Sequence, residues 1–337
     1  MADKMRALVY EGPREMNMRE VERPEPEPGE VLIRVGEIGI CGSELSGYLG
    51  QNSLRQPPLV MGHEFSGMIA EVDDTVASLE VGDRVTANPL VYCGRCKYCN
   101  SGQANLCVDR KLIGAHRPGA YAEYVAVPEE NVYVLPENLS LSEGALSEPF
   151  ACAVHVCRLV NVSPADRMLI VGAGPIGLLT LRTAIIFGLN EVVVMDLNEE
   201  RLDIARELGG VAIRSLEELP EKSTDSSFDV AVDAVGADVT RQQCAEATRP
   251  GGRVVFSGLH ETESMLPVNL TVRNELHLQG SFGYTPVDFE LALQWLSEGR
   301  VDLTPWIMHA SLVEGEACFE KLLTDPGKVA KILLKVG

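Results

Sequence analysis

The rhythm of hydrophobic and polar positions changes near residue 150. Before that point, short runs rich in β-branched and apolar residues are broken by glycine, proline and polar residues, which is how strands and turns read. Met5–Tyr10 and Glu30–Ile40 are the first predicted strands. Pro24, Pro26, Pro28 and Gly29 make a rigid connection between them, so the chain is expected to open in β-structure without a helix. Residues 81–86 predict a turn and a strand, and residues 112–127 and 132–136 return to strand. An apolar pattern of helical period then runs from Phe150 to Val160.

From about residue 167 strands alternate with helices. Strands are predicted over 168–172, 191–196, 211–214, 228–233 and 252–256, with helices over 175–187, 199–208 and 238–248. That alternation specifies a parallel, doubly wound sheet, so the fold class is α/β. Leu276–Phe282 supplies a sixth strand, and residues 286–299 an amphipathic helix. Residues 216–227 are short and polar, and no helix is expected there. The terminal run Val329–Val336 reads as a strand that rejoins the first domain. Two domains follow: a β-rich one over 1–150, completed by 286–337, and a doubly wound one over 151–285. No internal repeat or low-complexity stretch interrupts them.

Length and composition agree with this division. The 337 residues make two domains the natural expectation, and 45% hydrophobic residues supply a sizeable core. Net charge is −20, from 29 basic and 49 acidic residues, with a pI near 4.7. Binding to nucleic acid or to an anionic membrane surface needs a basic face, so both are excluded as expectations. No apolar run approaches the roughly 18–20 residues of a membrane helix. The N-terminal residues lead directly into the first strand instead of resembling a signal peptide. Of nine cysteines, four crowd into fifteen residues. In an intracellular chain that reads as metal rather than disulfide, and a cytoplasmic location is the expectation.

The stretch Val171-Gly172-Ala173-Gly174-Pro175-Ile176-Gly177 follows the apolar run Met168-Leu169-Ile170 and leads into a helical pattern. Strand, glycine turn and helix in that order suit a dinucleotide: the turn is tight, the backbone can approach a pyrophosphate, and the helix start offers free N–H groups. Asp196 ends the next strand at the spacing where a carboxylate holds the ribose hydroxyls of NAD; its other reading is a helix-capping aspartate. Cys93, Cys96, Cys99 and Cys107 are spaced C-x2-C-x2-C-x7-C. Four thiolates at such intervals fit one tetrahedral ion with every position filled, a structural zinc site; an iron–sulfur cluster is the competing reading. Cys41 at a strand end, with His63 and Glu64 flanked by glycines, could converge on a metal, though His63 alone is equally a structural histidine. Glu148 is either a helix-start acid or a further ligand.

Together these motifs resemble the zinc-containing medium-chain alcohol dehydrogenases over essentially the whole chain. The matching pieces are Gly-Ile-Cys41-Gly-Ser43, Gly-His63-Glu64, the four cysteines, Glu148-Pro149 and the glycine turn, in the family's order. Glu148 in place of a cysteine ligand points to the polyol branch, which includes sorbitol, threonine, butanediol and galactitol-1-phosphate dehydrogenases. The resemblance implies a GroES-like catalytic domain beside a Rossmann domain. It implies two zinc ions per chain and NAD as cofactor. Cys41, His63, Glu64 and Glu148 would serve the catalytic zinc, and the four clustered cysteines the structural one. Ser43 would pass on the substrate's proton, its alternative being a turn serine capping the following helix. Gly172, Gly174, Pro175, Ile176 and Gly177 would hold the pyrophosphate. Asp196 would favour NAD over NADP, with Arg201 beside it on the helix surface. The implied activity is hydride transfer from a secondary alcohol of a polyol, sugar alcohol, phosphorylated or not, or cyclitol to NAD+, giving a ketone, in a homotetramer or dimer.

The chain also departs from the family. Glu44 stands where the family usually has Asp, and Ser46 where a relay histidine is common. Leu45, Tyr48, Leu49, Phe150 and His116-Arg117-Pro118 are candidates for lining a substrate pocket by position. Arg117 or Arg55 could meet a phosphate, or each is an exposed loop charge. Cys152, Cys157, Cys244 and Cys318 read as buried small apolar residues, and His155, His260, His277 and His309 as structural. The rival to a dehydrogenase is a catalytically silent NAD-binding sensor, which would have no use for Cys41, His63, Glu64 and Glu148 together. A zinc-independent quinone reductase of the same fold would lack them.

Overall fold

A computed structural model describes residues 3–219 and 228–337. The chain divides into two compact units. The first comprises Met1–Glu148, Thr285–Pro326 and Lys331–Gly337, and the second Pro149–Tyr284 and Gly327–Ala330.

The first unit is built on the ten-residue strand Glu30–Gly39, whose Val31, Leu32, Ile33, Val35 and Ile38 are fully buried. In a seven-stranded sheet it pairs antiparallel with Glu64–Val72, with Tyr124–Pro128 and with the terminal strand Lys331–Lys335. Lys331–Lys335 also pairs in parallel with Ile307–Ser311. The sequence had shown no strand between Tyr10 and Glu30, yet Glu15–Glu22 forms one, folding back antiparallel on Lys4–Gly12. Its composition, with Val21 as its one β-branched residue, does not announce a strand; the hairpin partner and the turn at Gly12–Arg14 make it one.

Two short helices position chemistry. Gly42–Tyr48 starts directly after the central strand, with Cys41 as its N-cap and Glu44 reaching back to the Cys41 N–H. This is the capping-box arrangement, and it turns a carboxylate inward at the helix start. The helix expected from Phe150 begins earlier, at Ser147, which places Glu148 in its first turn. Pro149 is tolerated there because a first-turn residue has no N–H bond to lose.

The second unit is a six-stranded parallel sheet in the order Val211–Ile213, Glu191–Met195, Arg167–Val171, Phe228–Asp233, Thr248–Phe256, His277–Gly280. The order reverses between Arg167–Val171 and Phe228–Asp233, which is the switch point of a doubly wound fold. Val192, Val193 and Val194 in succession are buried, as expected of a strand covered on both faces. Within the stretch 216–227, Leu216–Glu218 forms a single 3-10 turn, and residues 220–227 lie outside the described part of the chain. Among the described residues no helix is long and apolar enough to cross a membrane.

Candidate metal centres and cofactor turn

Strand pairing creates the first metal centre. Gly39 at the end of the central strand stands opposite Glu64 at the start of the next. Cys41 follows Gly39 by two residues, and His63 precedes Glu64. One ligand atom each from Cys41, His63 and Glu64 therefore lies within 4.8 Å of the other two. His63 and Glu64 are buried and Cys41 is half-buried.

The orientation of His63 is set from behind. Its Nδ1 lies 2.7 Å from Glu44 Oε1. Burial opposes ionisation of Glu44, but the His63 ring, the Arg55 guanidinium and the Tyr121 hydroxyl outweigh it and hold the carboxyl at about 2. An ionised carboxylate only accepts, so Nδ1 carries the proton and donates, leaving Nε2 for a metal. Glu44 Oε1 also accepts from Gly62 N–H at 2.9 Å, and Oε2 from Tyr121 Oη and Cys41 N–H. Burial pulls His63 down while the charges of Glu44 and Cys41 lift it well above the usual histidine value.

The residues fit zinc. The donor set is one thiol, one imidazole and one carboxylate, the borderline-soft mixture of catalytic zinc sites. Both Glu64 oxygens are buried without a hydrogen-bond partner, and Oε2 is ion-paired with Lys331. Burial lowers the Lys331 pKa, but Glu64 and Cys41 together more than restore it. Glu148 lies outside this group; it is buried, and its charge also acts on Lys331. Ser43 Oγ donates to Cys41 Sγ at 3.4 Å and accepts from Arg55 at 3.2 Å. Ser43 is not the helix cap, since Cys41 holds that position.

Several positions differ from their expected surroundings. Arg55 is not an exposed loop charge: it is buried, 3.9 Å from Glu44. A Cβ at Gly47 would sit 2.4 Å from Arg55 Cδ, so glycine there makes its slot. Arg117 is ion-paired with Glu30 at 2.5 Å. Tyr48 is buried, its hydroxyl donating to Glu320, and Phe150 is fully buried. Cys157, Cys244 and Cys318 are buried, but Cys152 is only half-buried.

The second metal centre is local. Cys93, Cys96, Cys99 and Cys107 bring their sulfurs within 4.8 Å of one another. Backbone N–H groups, first that of Cys99, lower the Cys96 thiol to about 6. Burial and neighbouring thiols push Cys99 up to about 12. The loop thus already favours thiolate at one position, which suits a tetrahedral cysteine site.

The cofactor turn sits where the second unit's strand order reverses. Gly172 has φ +106°, and a Cβ there would lie 2.7 Å from Val235 Cγ2. A Cβ at Gly177 would lie 1.8 Å from the Gly172 carbonyl oxygen, so the helix Pro175–Ile186 packs on the turn only with glycine. Around Gly174, its N-cap, no atom lies within 4 Å of a built Cβ: this is open space of the kind a pyrophosphate fills. Pro175 and Ile176 open that helix. Asp196 reaches the same turn, accepting from Ala173 N–H at 2.6 Å and from Asn198 N–H at 2.8 Å. Asn198, not Asp196, caps the next helix. Arg201, in that helix's first turn, has a buried Nε with no hydrogen-bond partner.

Glu44, Tyr121 and Lys331 are the members of this site that the sequence did not single out for a role. The terminal strand carries a lysine at each end, and only the pairing of the strands buries Lys331.

Family comparisons agree with both units. The family model described as "Alcohol dehydrogenase GroES-like domain" matches residues 27–137, and that described as "Zinc-binding dehydrogenase" matches residues 175–298. The chain is 36% identical to an L-idonate 5-dehydrogenase of Vitis vinifera, over 84% of this chain and 81% of the relative. It is 34% identical to a probable D-xylulose reductase A of Aspergillus clavatus, over 95% and 94%. Among solved structures, an alcohol dehydrogenase from E. coli CFT073 complexed with NADH superposes with a TM-score of 0.91 at 30% identity, covering 99% of this chain and 100% of that one.

Proposed function

This chain belongs to the zinc-binding alcohol dehydrogenase family, and we propose that it oxidises a secondary alcohol of a polyol, a sugar alcohol or a related polyhydroxy compound to a ketone, with NAD+ as the hydride acceptor. The relatives' names, an idonate dehydrogenase and a xylulose reductase, supply the substrate class. The observation that carries the reading is the Cys41–His63–Glu64 group with Glu44 fixing the ring of His63. A protein that used the fold only to sense NAD would not need it.

Under this reading Cys41 and His63 would hold the catalytic zinc, with Glu64 and Glu148 as the carboxylates that complete or exchange in its shell, one position staying open. When bound, the ion would supply Lewis acidity that lowers the pKa of the substrate hydroxyl. Ser43 takes the hydroxyl proton. Arg55 has only donors, so the proton does not continue through it and leaves by water. When bound, NAD+ would supply the acceptor for a hydride from the carbinol carbon, so the overall balance would be alcohol plus NAD+ to ketone, NADH and a proton. Gly172, Gly174, Pro175, Ile176 and Gly177 would cradle the pyrophosphate, and Asp196 with Arg201 would hold the adenosine ribose. A 2′-phosphate would face the Asp196 carboxylate, which favours NAD over NADP. The four clustered cysteines hold a structural zinc with no catalytic part.

Two finer readings accompany it. The edge strand His277–Gly280 and the exposed Val268 and Val272 on the helix before it support a homo-oligomer, a dimer or tetramer. All nine cysteines are unpaired, which supports a reducing, cytoplasmic location.

The test is a screen of NAD+ reduction over polyols, polyol phosphates, polyhydroxy acids, cyclitols and simple secondary alcohols, with and without chelator and with NADP+ as control. Chelator-sensitive NADH formation from the polyhydroxy classes is the expected result. Silence across the panel from protein carrying two zinc ions per chain would overturn the substrate class.

A further inference from the structure

Glu64 is fully buried; neither of its oxygens has a hydrogen-bond partner, and only one of them is in an ion pair. That oxygen, Oε2, is ion-paired with Lys331 Nζ, itself from a side chain only 2% exposed. The two residues come from strands on either side of Glu30–Gly39. Glu64 is opposite Gly39 on one side, and Leu333 is opposite Gly39 on the other. Lys331 precedes Leu333 by two residues and so projects from the same face of its strand. What lets the two side chains meet is the absence of a side chain between them. A Cβ on Gly39 would lie 2.4 Å from Glu64 Oε2 and 2.8 Å from Lys331 Cε. The φ of Gly39 does not demand glycine, so the space does.

A lysine is costly to bury unless it is paired, and this one is surrounded by negative groups of the metal centre: Glu64, Cys41 and Glu148 all act on it. We propose that Lys331 is a positioning residue of the catalytic zinc centre: it holds Glu64 by Oε2 so that Oε1 alone faces Cys41 and His63. With one oxygen tied, the carboxylate cannot chelate the ion through both, and a coordination position stays available for the substrate hydroxyl. Gly39 is part of the device, because any side chain there would separate the pair. The terminal strand therefore completes the metal centre as well as the sheet. This rests on the reading of Cys41, His63 and Glu64 as a zinc site.

A four-member cycle tests it: wild type, Lys331→Met, Glu64→Gln and the double variant. The readouts are zinc per chain, the rate of zinc loss to a chelator, and the visible spectrum of the cobalt-substituted centre. In K331M the freed carboxylate should slow zinc loss on the order of tenfold, change the cobalt spectrum toward a higher coordination number and lower turnover. K331R should restore wild-type behaviour in all three. E64Q should lose zinc faster than wild type, and the double variant should match E64Q, because the lysine acts only through Glu64. Unchanged or faster zinc loss in K331M, or identical behaviour of K331M and K331R, would overturn the proposal. If K331M does not fold, the comparison of E64Q with the double variant, which leaves no charge buried alone, still decides: a difference between them overturns it. Wild-type protein that retains a single zinc, held by the four cysteines, would instead overturn the zinc reading of Cys41, His63 and Glu64.

Discussion

Glu44 Oε1 lies 2.7 Å from His63 Nδ1, and neither side chain is open to solvent. The carboxylate comes from the first turn of a helix and the imidazole from the residue before a strand, so the contact locks two elements as well as one ring. Glu44→Gln keeps the shape and removes the charge that makes the imidazole a strong donor to zinc. We expect zinc affinity at this centre to fall 10- to 100-fold, on the order found for such supporting carboxylates. Chelator competition should show one of two zinc ions becoming labile while the other stays. Two equally labile ions would mean that Glu44 supports the fold and not the centre.

The glycine turn offers a matched pair of substitutions. Gly174→Ala meets nothing within 4 Å, so folding should be untouched. A methyl group would instead occupy the space needed by the cofactor's phosphates, and the NADH dissociation constant should rise about tenfold, roughly 1.4 kcal/mol. Gly177→Ala would press a methyl group onto the Gly172 carbonyl, a backbone atom that cannot turn aside. It should cost at least about 3 kcal/mol of stability. Thermal unfolding and fluorescence titration with NADH separate the two outcomes.

How much of this was legible in the sequence follows from how far apart the partners are along the chain. The four cysteines and the glycine turn are short-range features, and spacing alone drew them. The alternating strands and helices of the second unit carry their own period, which the structure follows closely. The Cys41–His63–Glu64 group came from motif order, since no local rule joins residues on different strands. Lys331 stayed hidden because only the pairing of the last strand beside Glu30–Gly39 brings it to Glu64. Arg55 read as a surface charge because its slot depends on Gly47 lacking a side chain. The strand Glu15–Glu22 was missed because its partner, not its composition, makes it a strand.

Asp229 gives a pH-dependent term in the second unit. Its Oδ2 accepts from Arg167 N–H at 2.8 Å and its Oδ1 from Arg249 Nε at 2.6 Å. Burial opposes the charge, but these donors win and hold the carboxyl below its usual value. A depressed carboxyl stabilises the fold above the unfolded pKa, near 3.9, and that contribution disappears as pH falls through the folded value. Asp229→Asn should therefore cost about 1 kcal/mol at neutral pH. The difference from wild type should hold from about pH 8 to 5 and shrink progressively as pH falls below the unfolded value near 3.9. Denaturant unfolding across that range checks it; a difference that grows on acidification would contradict the assignment.

The cysteine lobe should behave as a metal-stapled piece. Between Cys93 and Cys107 the buried apolar residues are few: Ala104 is buried, while Leu106 is exposed, as is Val108 just beyond the last cysteine. Without a core of its own, the lobe depends on the ion joining its four sulfurs, and binding energy there is folding energy. Cys107→Ser should reduce zinc from two ions to one per chain. A loss of roughly 3 kcal/mol corresponds to a fall in Tm of about 10 °C. Proteolysis should then begin within residues 93–107. Because the glycine turn lies in the other unit, NADH affinity at low temperature should remain at the wild-type value. A C107S protein that keeps its Tm would show that the lobe is held by its backbone hydrogen bonds and not by metal.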